Sequence, residues 1–199
     1  MTENAAAPEG LRERKRRRTR QRIAEVGMQL FLENGFDATT LDMIADAADI
    51  SRRTFFAYFD SKDAVLETWE SGLEDAIRAA VAEESHPVTP LRATREAMIR
   101  LTSLYETEEA LAIDRLMRST ETLRVRKQAN HERQEQILYT ALAQRWPDPE
   151  RQSALRLVAM VGVGTLRLAI EAWREEEHRD LLADHLNEAF GAIQAELKP

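Results

Sequence analysis

The sequence contains no cysteine, which excludes a disulfide framework, a thiol nucleophile and a zinc–thiolate site. Glycine and proline are also sparse, with seven and six residues among 199. Because turn-forming residues are few and period-2 alternation is rare, we expect an all-α chain rather than one with sheets. Hydrophobic residues make up 43% of the chain, which is enough to build a core in one domain or two small ones.

An uninterrupted apolar run of about 18 residues, the length of a transmembrane helix, is also missing. A secretory signal requires an apolar segment after its basic N-terminal region, and no such segment is present here. We therefore expect a cytoplasmic protein.

Motifs of common enzyme classes are absent, including the GxSxG elbow, the Walker loop and the HExxH zinc helix. Gly162 and Gly164 follow no strand pattern and lack the third glycine of a nucleotide fingerprint, so they are interpreted as sites of close helix approach or space for a ligand. His178 and His185 are seven residues apart but have no convincing third ligand. We expect no catalytic residues, no cofactor and no metal.

Residues 38–65 contain two short amphipathic segments joined by a tight connection. Thr39 or Thr40 is placed to cap the first helix, and Asp42 suits the positive end of its dipole. Apolar residues then recur at helical spacing, at Leu41, Ile44, Ala45 and Ala48. This pattern predicts a helix that packs through one face against its neighbour.

The second segment presents a different surface on each side. Ser51 is its predicted N-cap, Ile50 and Phe55 form a predicted hydrophobic staple, and Phe55 and Phe59 face inward. The outward side carries donors and apolar groups without an acid, at Arg52, Arg53, Thr54, Phe56 and Ala57. Such a surface suits base edges and phosphates, so the pair is a predicted helix-turn-helix. An ordinary helical hairpin with solvated arginines is the alternative.

Residues 11–22 form a basic segment, in which eight of twelve residues are Lys or Arg and only Glu13 is acidic. Dense like charge predicts a flexible arm over residues 1–17 that binds phosphates and releases counterions. The rest of the chain is acidic, since residues 1–62 hold 11 Lys and Arg against 10 Asp and Glu, and residues 63–199 hold 17 against 25. The acidic part disfavours docking on DNA in the wrong orientation.

Residues 18–66 resemble the DNA-binding domain of the TetR family of bacterial transcriptional regulators. The resemblance is carried by Ile23, Leu30, Phe31, residues 34–36, Thr39, Thr40, Ile44, Ala45, Ser51, residues 54–59 and residues 61–63. It implies a helix-turn-helix domain over residues 18–62 and a helical ligand-binding and dimerisation domain over residues 63–199. About nine helices in a three-plus-six arrangement are then expected.

The resemblance also implies roles for single residues. Thr40 would touch phosphate, and Tyr58 and Lys62 would grip phosphates. Phe56 replaces a tyrosine whose hydroxyl often contacts phosphate, which leaves an apolar contact such as one to a thymine methyl. The full set of predicted DNA-binding residues is Arg16, Arg17, Arg18, Thr40, Ser51, Arg52, Arg53, Thr54, Phe56, Ala57, Tyr58 and Lys62.

A second departure from the family pattern lies in the turn, where Ala48 and Asp49 replace the usual alanine and glycine. Aspartate tolerates a left-handed backbone better than most residues, so we expect the turn to survive. Gly35 is the predicted end of the first helix and Ser61 the predicted cap of the fourth, which extends to about Glu84. Later helices are predicted over residues 90–105, 109–119, 121–146, 149–176 and 179–197.

The last two predicted helices carry broad apolar stripes. In the TetR family these helices commonly pair with their copies, which implies a homodimer that reads a palindromic operator. The predicted interface is Leu155, Val158, Gly162, Leu166, Trp173, Leu182, Leu186 and Phe190. The alternative is that these stripes serve only the core of one chain.

The resemblance further implies a small-molecule site among helices 4 to 8. The candidates are adaptable or aromatic side chains, each of which can equally be plain core, at Met98, Leu101, Tyr105, Met117, Tyr139 and Val161. Residues 115–118 and 123–146 resemble a subgroup for which a fatty-acyl or other hydrophobic effector is plausible. The leading hypothesis is a repressor released from its double-stranded DNA operator by such an effector. A ligand-independent or architectural DNA-binding protein and a helical adaptor that binds no DNA are the alternatives.

Overall fold

The computed structural model describes residues 10–82 and 89–196. Within these ranges it contains helices and no strand, which confirms the all-α prediction. The α-helices are α1 Leu11–Asn34, α2 Leu41–Ala47, α3 Arg52–Phe56, α4 Asp63–Ala82, α5 Pro90–Leu101, α6 Glu108–Met117, α7 Glu121–Arg145, α8 Gln152–Glu175 and α9 Leu182–Glu196. Short 3₁₀ helices, Thr102–Leu104 and Pro149–Arg151, follow α5 and precede α8.

Side-chain hydroxyls begin several of these helices. Thr89, Thr107 and Thr120 accept hydrogen bonds from the amides three residues ahead, at 3.3, 3.1 and 3.3 Å, and so start α5, α6 and α7. The predicted boundaries agree with the structure to within a few residues, except that residues 102–104 tighten into a 3₁₀ turn and α9 begins at Leu182. The predicted ends at residues 84 and 197 lie outside the described residues.

The chain divides into two compact units, residues 1–71 and 72–199. The division falls inside α4, rather than at residue 62 where the resemblance places it.

The first unit has a core of aliphatic and phenylalanine side chains. Ile23, Phe31, Ile44 and Phe55 are fully buried. A Cβ added to Gly27 would lie 2.9 Å from Val65 Cγ1, which shows how closely α1 and α4 approach. This core fixes the positions of α1, α2 and α3.

The second unit is built around α5, α7, α8 and α9. A Cβ added to Gly162 would lie 2.4 Å from Thr94 Cγ2 and 3.1 Å from Leu138 Cδ2. Gly162 therefore allows α8 to approach α5 and α7, one of the two roles expected of it. Gly164 meets nothing within 4 Å.

The predicted dimer residues lie mainly inside this unit. All except the half-buried Val158 are buried, namely Leu155, Gly162, Leu166, Trp173, Leu182, Leu186 and Phe190. Because a side chain buried in its own chain offers no surface to a second copy, the structure assigns these seven to the core. The apolar side chains that α8 leaves exposed are Leu157, Met160 and Leu168, at 61, 48 and 55%.

Among the described residues, the stretch Pro149–Glu175 is long and apolar enough to cross a membrane. This corrects the expectation that no such segment exists. By length and composition alone the indication is weak, because a core helix meets the same criteria, and 39% of the most apolar window is buried.

Candidate nucleic-acid interface

Two capped helices and a left-handed turn form the centre of the candidate site. Thr40 Oγ1 accepts a hydrogen bond from Met43 N at 3.2 Å and starts α2, whereas Ser51 Oγ accepts from Thr54 N at 3.1 Å and starts α3. Asp49 between them has φ 54°, which confirms that it takes the left-handed conformation. The local sequence thus dictates where each helix begins and how the chain turns.

Consecutive phenylalanines separate the two faces of α3. Phe55 is fully buried, whereas Phe56 is 45% exposed. The ring of Phe55 packs edge-on against Phe56 with centroids 5.8 Å apart and lies 5.7 Å from the ring of Phe59. Arg52, Arg53 and Ala57 are exposed along with Phe56, so the outward surface predicted from the sequence is open to solvent.

An acid lies beside this surface that the sequence analysis did not place there. Arg52 Nη1 lies 3.3 and 3.4 Å from the two carboxylate oxygens of Asp42 on α2. Both side chains are more than half exposed, so the pair is weak and competes poorly with a phosphate. Arg53 makes no hydrogen bond or ion pair with the parts of the chain that the structure describes, which leaves its guanidinium available.

Two arginines of α1 hold the end of α3. Arg20 Nη1 donates to Tyr58 O at 2.5 Å, and its guanidinium lies 4.3 Å from the centre of the Phe59 ring. Arg16 Nη2 donates to Ala57 O at 3.5 Å, with its guanidinium 5.7 Å from the Tyr58 ring centre. Arg20 is not among the site residues predicted from the sequence. Its spacing of four residues from Arg16, which puts both on one face of a helix, was the available signal.

The basic arm is more ordered than its charge predicts. Residues 11–17, expected to be flexible, belong to α1, and Gly10 N donates to the carboxylate of Glu13 at 3.2 Å at the start of the helix. Arg16 contacts the end of α3 from this segment, and this contact opposes the repulsion between like charges. Arg17 and Arg18 lie exposed on α1. Residues 1–9 of the predicted arm lie outside the described residues.

The ammonium group of Lys62 is bound by the protein's own backbone carbonyls. Its ammonium donates to the carbonyls of Phe36, Thr39 and Asp37 at 2.7, 3.2 and 3.4 Å and lies 4.3 Å from the Phe36 ring centre. Because an ammonium has three protons, these carbonyls occupy all of its donors. Lys62 therefore closes the connection between α1 and α2, and its contact with phosphate stays a prediction.

The remaining predicted DNA contacts are less exposed. Thr54 is half-buried, and its Oγ1 lies 2.8 Å from Ser51 Oγ, so these two hydroxyls bond each other at the start of α3. Tyr58 is half-buried beneath Arg16.

The predicted effector residues are distributed through the second unit. Met98, Leu101 and Met117 are buried, whereas Tyr105, Tyr139 and Val161 are half-buried. Burial raises the pKa of the Tyr105 hydroxyl well above its usual range, and Tyr139 OH donates to Gln152 Oε1 at 2.7 Å. A cleft of about 450 Å³ opens in this unit, but none of the six lines it. Their role in ligand binding stays a prediction.

Two sequence families match the chain, one in each half. Residues 23–68 match the family described as bacterial regulatory proteins, tetR family, and residues 88–198 match the MftR C-terminal domain. The second match alone covers more than half of the 199 residues.

Curated relatives match over shorter stretches. The chain is 40% identical to the HTH-type transcriptional regulator TcmR of Streptomyces glaucescens over 84 residues. This stretch makes up 42% of this chain and 37% of that protein. It is 44% identical over 52 residues to the putative mycofactocin biosynthesis transcriptional regulator MftR of Mycobacterium tuberculosis, which is 26% of each chain. The chain thus spans about a third of the length of these relatives.

Solved structures share the fold over almost the whole chain. FadR of Thermus thermophilus, solved in complex with lauroyl-CoA, has a TM-score of 0.60 and 24% identity, over 90% of this chain and 95% of that one. A putative TetR-family transcriptional regulator of Mesorhizobium loti has a TM-score of 0.60 and 16% identity, over 91% of this chain and 96% of that one. The paired family matches, the capped α2 and α3 and the shared fold together lead to one conclusion: the chain belongs to the TetR family of bacterial transcriptional regulators.

Proposed function

We propose that the chain is a repressor that binds a palindromic operator as a homodimer in the cytoplasm and leaves it when a small hydrophobic effector binds. One observation carries the DNA-binding part of the proposal. The outward face of α3 presents Arg53 without a partner among the described residues, next to the exposed ring of Phe56. Such a face offers hydrogen-bond donors and apolar contact at once, as base recognition in the major groove requires.

Different side chains serve affinity and specificity in this proposal. Arg53 donates to a guanine edge, while Phe56 and Ala57 contact thymine methyl groups. Arg17, Arg18 and Thr40 contact phosphates, which positions the protein without reading sequence. Arg16 and Arg20 act indirectly because they hold the end of α3 in place.

The exposed stripe of α8 supports the homodimer. Leu157, Met160 and Leu168 lie three and eight residues apart on one side of the helix, and each is about half exposed or more. Packing this stripe against its copy removes apolar surface from water and creates the two-fold symmetry that a palindrome needs. We expect Leu168→Asp to convert the dimer to a monomer in light scattering, with loss of cooperative binding to a full palindrome. A dimer of unchanged stability would contradict this interface.

The effector part of the proposal concerns the second unit. FadR of Bacillus subtilis, solved with stearoyl-CoA, and FadR of Thermus thermophilus, solved with lauroyl-CoA, have this fold. We place a fatty-acyl or similar hydrophobic effector among α4 to α8, near Met98, Leu101, Tyr105, Met117, Tyr139 and Val161. A coupling free energy of about 1 to 3 kcal/mol between the two sites lowers operator affinity about 5- to 150-fold.

The DNA-binding part is tested by selecting bound fragments from random duplexes and footprinting the full-length protein on the selected site. We expect a short protected palindrome, and we expect Arg53→Ala with Phe56→Ala to abolish selective protection. Arg92→Ala, which removes an exposed arginine from α5, is the matched control and should bind normally. Equal binding by the double variant and the control would show that the outward face of α3 does not recognise the operator.

The effector part is tested separately on the same footprint. Adding acyl-CoA esters of increasing chain length should release the protein, with a maximum at one length range. Protection that survives every ester would leave a DNA-binding protein without the proposed acyl response.

A further inference from the structure

Three metal-ligand side chains meet where α8 ends and α9 begins. Glu176 caps α8, Asp180 lies in the connection and His185 lies on the first turn of α9. Two carboxylate oxygens and one imidazole nitrogen, one from each residue, all lie within 4.8 Å of one another. They line an open cleft of about 450 Å³, together with Asp184, Asn187 and Glu188.

The imidazole of His185 gives an independent indication of a ligand. Only 8% of the residue is exposed, and its buried Nε2 has no hydrogen-bond partner in the described part of the chain. The nearby carboxylate oxygen, Glu176 Oε2, lies 3.9 Å away, which is too far for a hydrogen bond. Buried polar atoms are almost always paired, so this nitrogen, which lies 3.9 Å from a carboxylate oxygen, lacks the partner that its burial requires.

The backbone around the cluster is held in place by several contacts. Trp173 Nε1 donates to Asp180 O at 2.7 Å, and His178 N donates to Trp173 O at 2.9 Å. Leu182 N, at the start of α9, donates to Glu106 Oε1 at 2.8 Å. The connection is therefore fixed at both ends before any ion arrives.

We propose that Glu176, Asp180 and His185 bind a divalent transition-metal ion, for which Zn²⁺ is the best match. In the tetrahedral geometry that Zn²⁺ prefers, bonds of about 2.0 to 2.2 Å to imidazole nitrogen and carboxylate oxygen place two ligand atoms about 3.4 Å apart. The distance of 3.9 Å between His185 Nε2 and Glu176 Oε2 is slightly longer than this separation, and it shortens when the exposed Glu176 carboxylate turns toward the ion. The other spacings among the three ligand atoms, which reach 4.8 Å at most, close by a small rotation of either exposed carboxylate.

The ligand set also selects the class of ion. Imidazole favours zinc and its neighbours, whereas Mg²⁺ and Ca²⁺ prefer oxygen ligands alone. Two carboxylates neutralise the charge of a divalent ion, and the open side of the cleft leaves room for water as a further ligand. Bound metal joins the end of α8 to α9, so we expect it to stabilise the folded chain.

The test uses the untagged full-length chain near neutral pH, because a polyhistidine tag binds zinc itself. Competition of the protein with a chromophoric chelator measures Zn²⁺ affinity and stoichiometry, with Mg²⁺ as the comparison ion. We expect one Zn²⁺ per chain, and at least about tenfold weaker binding by the variant Glu176→Gln with Asp180→Asn. The control, Glu175→Gln with Glu177→Gln, changes the same charge at the same exposed helix end and should bind within about twofold of the parent.

A second measurement identifies the nitrogen ligand. Co²⁺ in place of Zn²⁺ should give visible absorption bands that His185→Gln removes or shifts, with circular dichroism reporting whether that variant folds. If His185→Gln does not fold, the exposed carboxylate pair still decides the matter. Equal Zn²⁺ affinity of the carboxylate variant and the parent, or Mg²⁺ binding as tight as that of Zn²⁺, would overturn the proposal.

Discussion

At the scale of single residues, adjacent positions of α3 have opposite environments, one buried and the next exposed. Phe55 anchors α3 in the core of the first unit, whereas the side chains of Phe56 and Arg53 are exposed to solvent. Arg52 is constrained differently, because Asp42 accepts hydrogen bonds from it. The charge of the outward surface of α3 therefore depends on one aspartate as well as on the arginines.

Replacing Asp42 with Asn should tighten DNA binding about two- to fivefold at low salt. The change removes one negative charge next to phosphates and frees Arg52 from a surface pair of small free energy. Fluorescence anisotropy with a labelled operator duplex measures the dissociation constant. Glu33→Gln, another exposed acid of the first unit, is the control, and equal effects of the two variants would contradict a specific role for Asp42.

Replacing Gly162 with Ala should lower the free energy of unfolding by about 1 to 3 kcal/mol, because the added methyl group overlaps Thr94 and Leu138. Urea denaturation followed by circular dichroism measures the loss. Gly191→Ala is the control, since a Cβ there meets nothing within 4 Å and alanine favours a helix. If both alanine variants are as stable as the parent, α8 does not depend on close approach at Gly162.

At the scale of helices, one carboxylate connects α6, α7 and α8. Asp114 accepts from Lys127 Nζ at 2.6 Å, from Arg118 Nε at 2.9 Å and from Arg174 Nη1 at 3.4 Å. Burial raises the pKa of Asp114, but the hydrogen bonds and charges of Lys127 and Arg118 outweigh it and hold the pKa below its usual range. The three helices thus share a network that stays charged at neutral pH.

His131 on α7 should make the stability of the chain depend on pH. Burial, and then the charges of Lys127 and Arg167, lower its pKa, while Glu171 opposes them. The unfolded state therefore takes up this proton first, so the contribution of His131 is present above about pH 6.5 and is lost as the pH falls below that value. Urea midpoints between about pH 7.5 and 5.5 measure this loss.

We expect His131→Gln to reduce the pH dependence of the urea midpoint. Gln128→Ala, which changes an exposed residue of α7 that does not titrate, should leave it as in the parent. The same slope in parent and His131→Gln would exclude His131 as its source.

Helix starts and the turn could be predicted because their causes are local. Thr40, Ser51 and Asp49 act on backbone within three residues of themselves, and the structure has each in the expected place. Arg20 and Lys62 differ, because the carbonyls that they contact come from distant parts of the chain. Spacing alone could not distinguish such carbonyls from phosphates as their partners.

The sequence pattern also could not predict which apolar residues of α8 are buried and which are exposed. Both the buried Leu155 and the exposed Leu157 are leucines of the same helix, and periodicity does not say which stripe faces the chain's own core. The three proposed metal ligands could not be grouped from the sequence for a similar reason. Glu176 and Asp180 approach His185 only because the chain reverses between α8 and α9.

At the scale of the whole molecule, positive charge is concentrated where DNA is expected to bind, since the first 62 residues carry a net charge of +1 and the rest −8. Arg17 and Arg18 lie exposed on α1, whereas Arg53 lies on α3. The resemblance of residues 18–66 was enough to predict the family, whereas the scarcity of turn-forming residues and of period-2 alternation predicted the all-α fold. The effector was not predictable, because apolar side chains that line a ligand site and those that fill a core follow the same pattern.

Salt dependence should separate the two groups of arginines. Arg17→Ala with Arg18→Ala should weaken binding to all duplexes and reduce the slope of log affinity against log salt by about one for each phosphate that the variant no longer neutralises. Arg53→Ala should instead reduce discrimination between operator and random duplex, by about 1 to 3 kcal/mol. Anisotropy titrations over a salt series measure both. An unchanged slope in the α1 variant would show that these arginines do not bind phosphate.

The short length of α3 has a consequence for engineering. The helix is held by the Ser51 cap, the buried ring of Phe55 and the backbone carbonyls that Arg16 and Arg20 contact, and none of these contacts involves the side chains of Arg52, Arg53 or Phe56. If the outward face reads bases as proposed, a combinatorial library at positions 52, 53 and 56 can change the recognised sequence while these contacts still hold the helix. Retargeted versions of this protein could then be selected by varying three positions of this five-residue helix, without redesigning the rest.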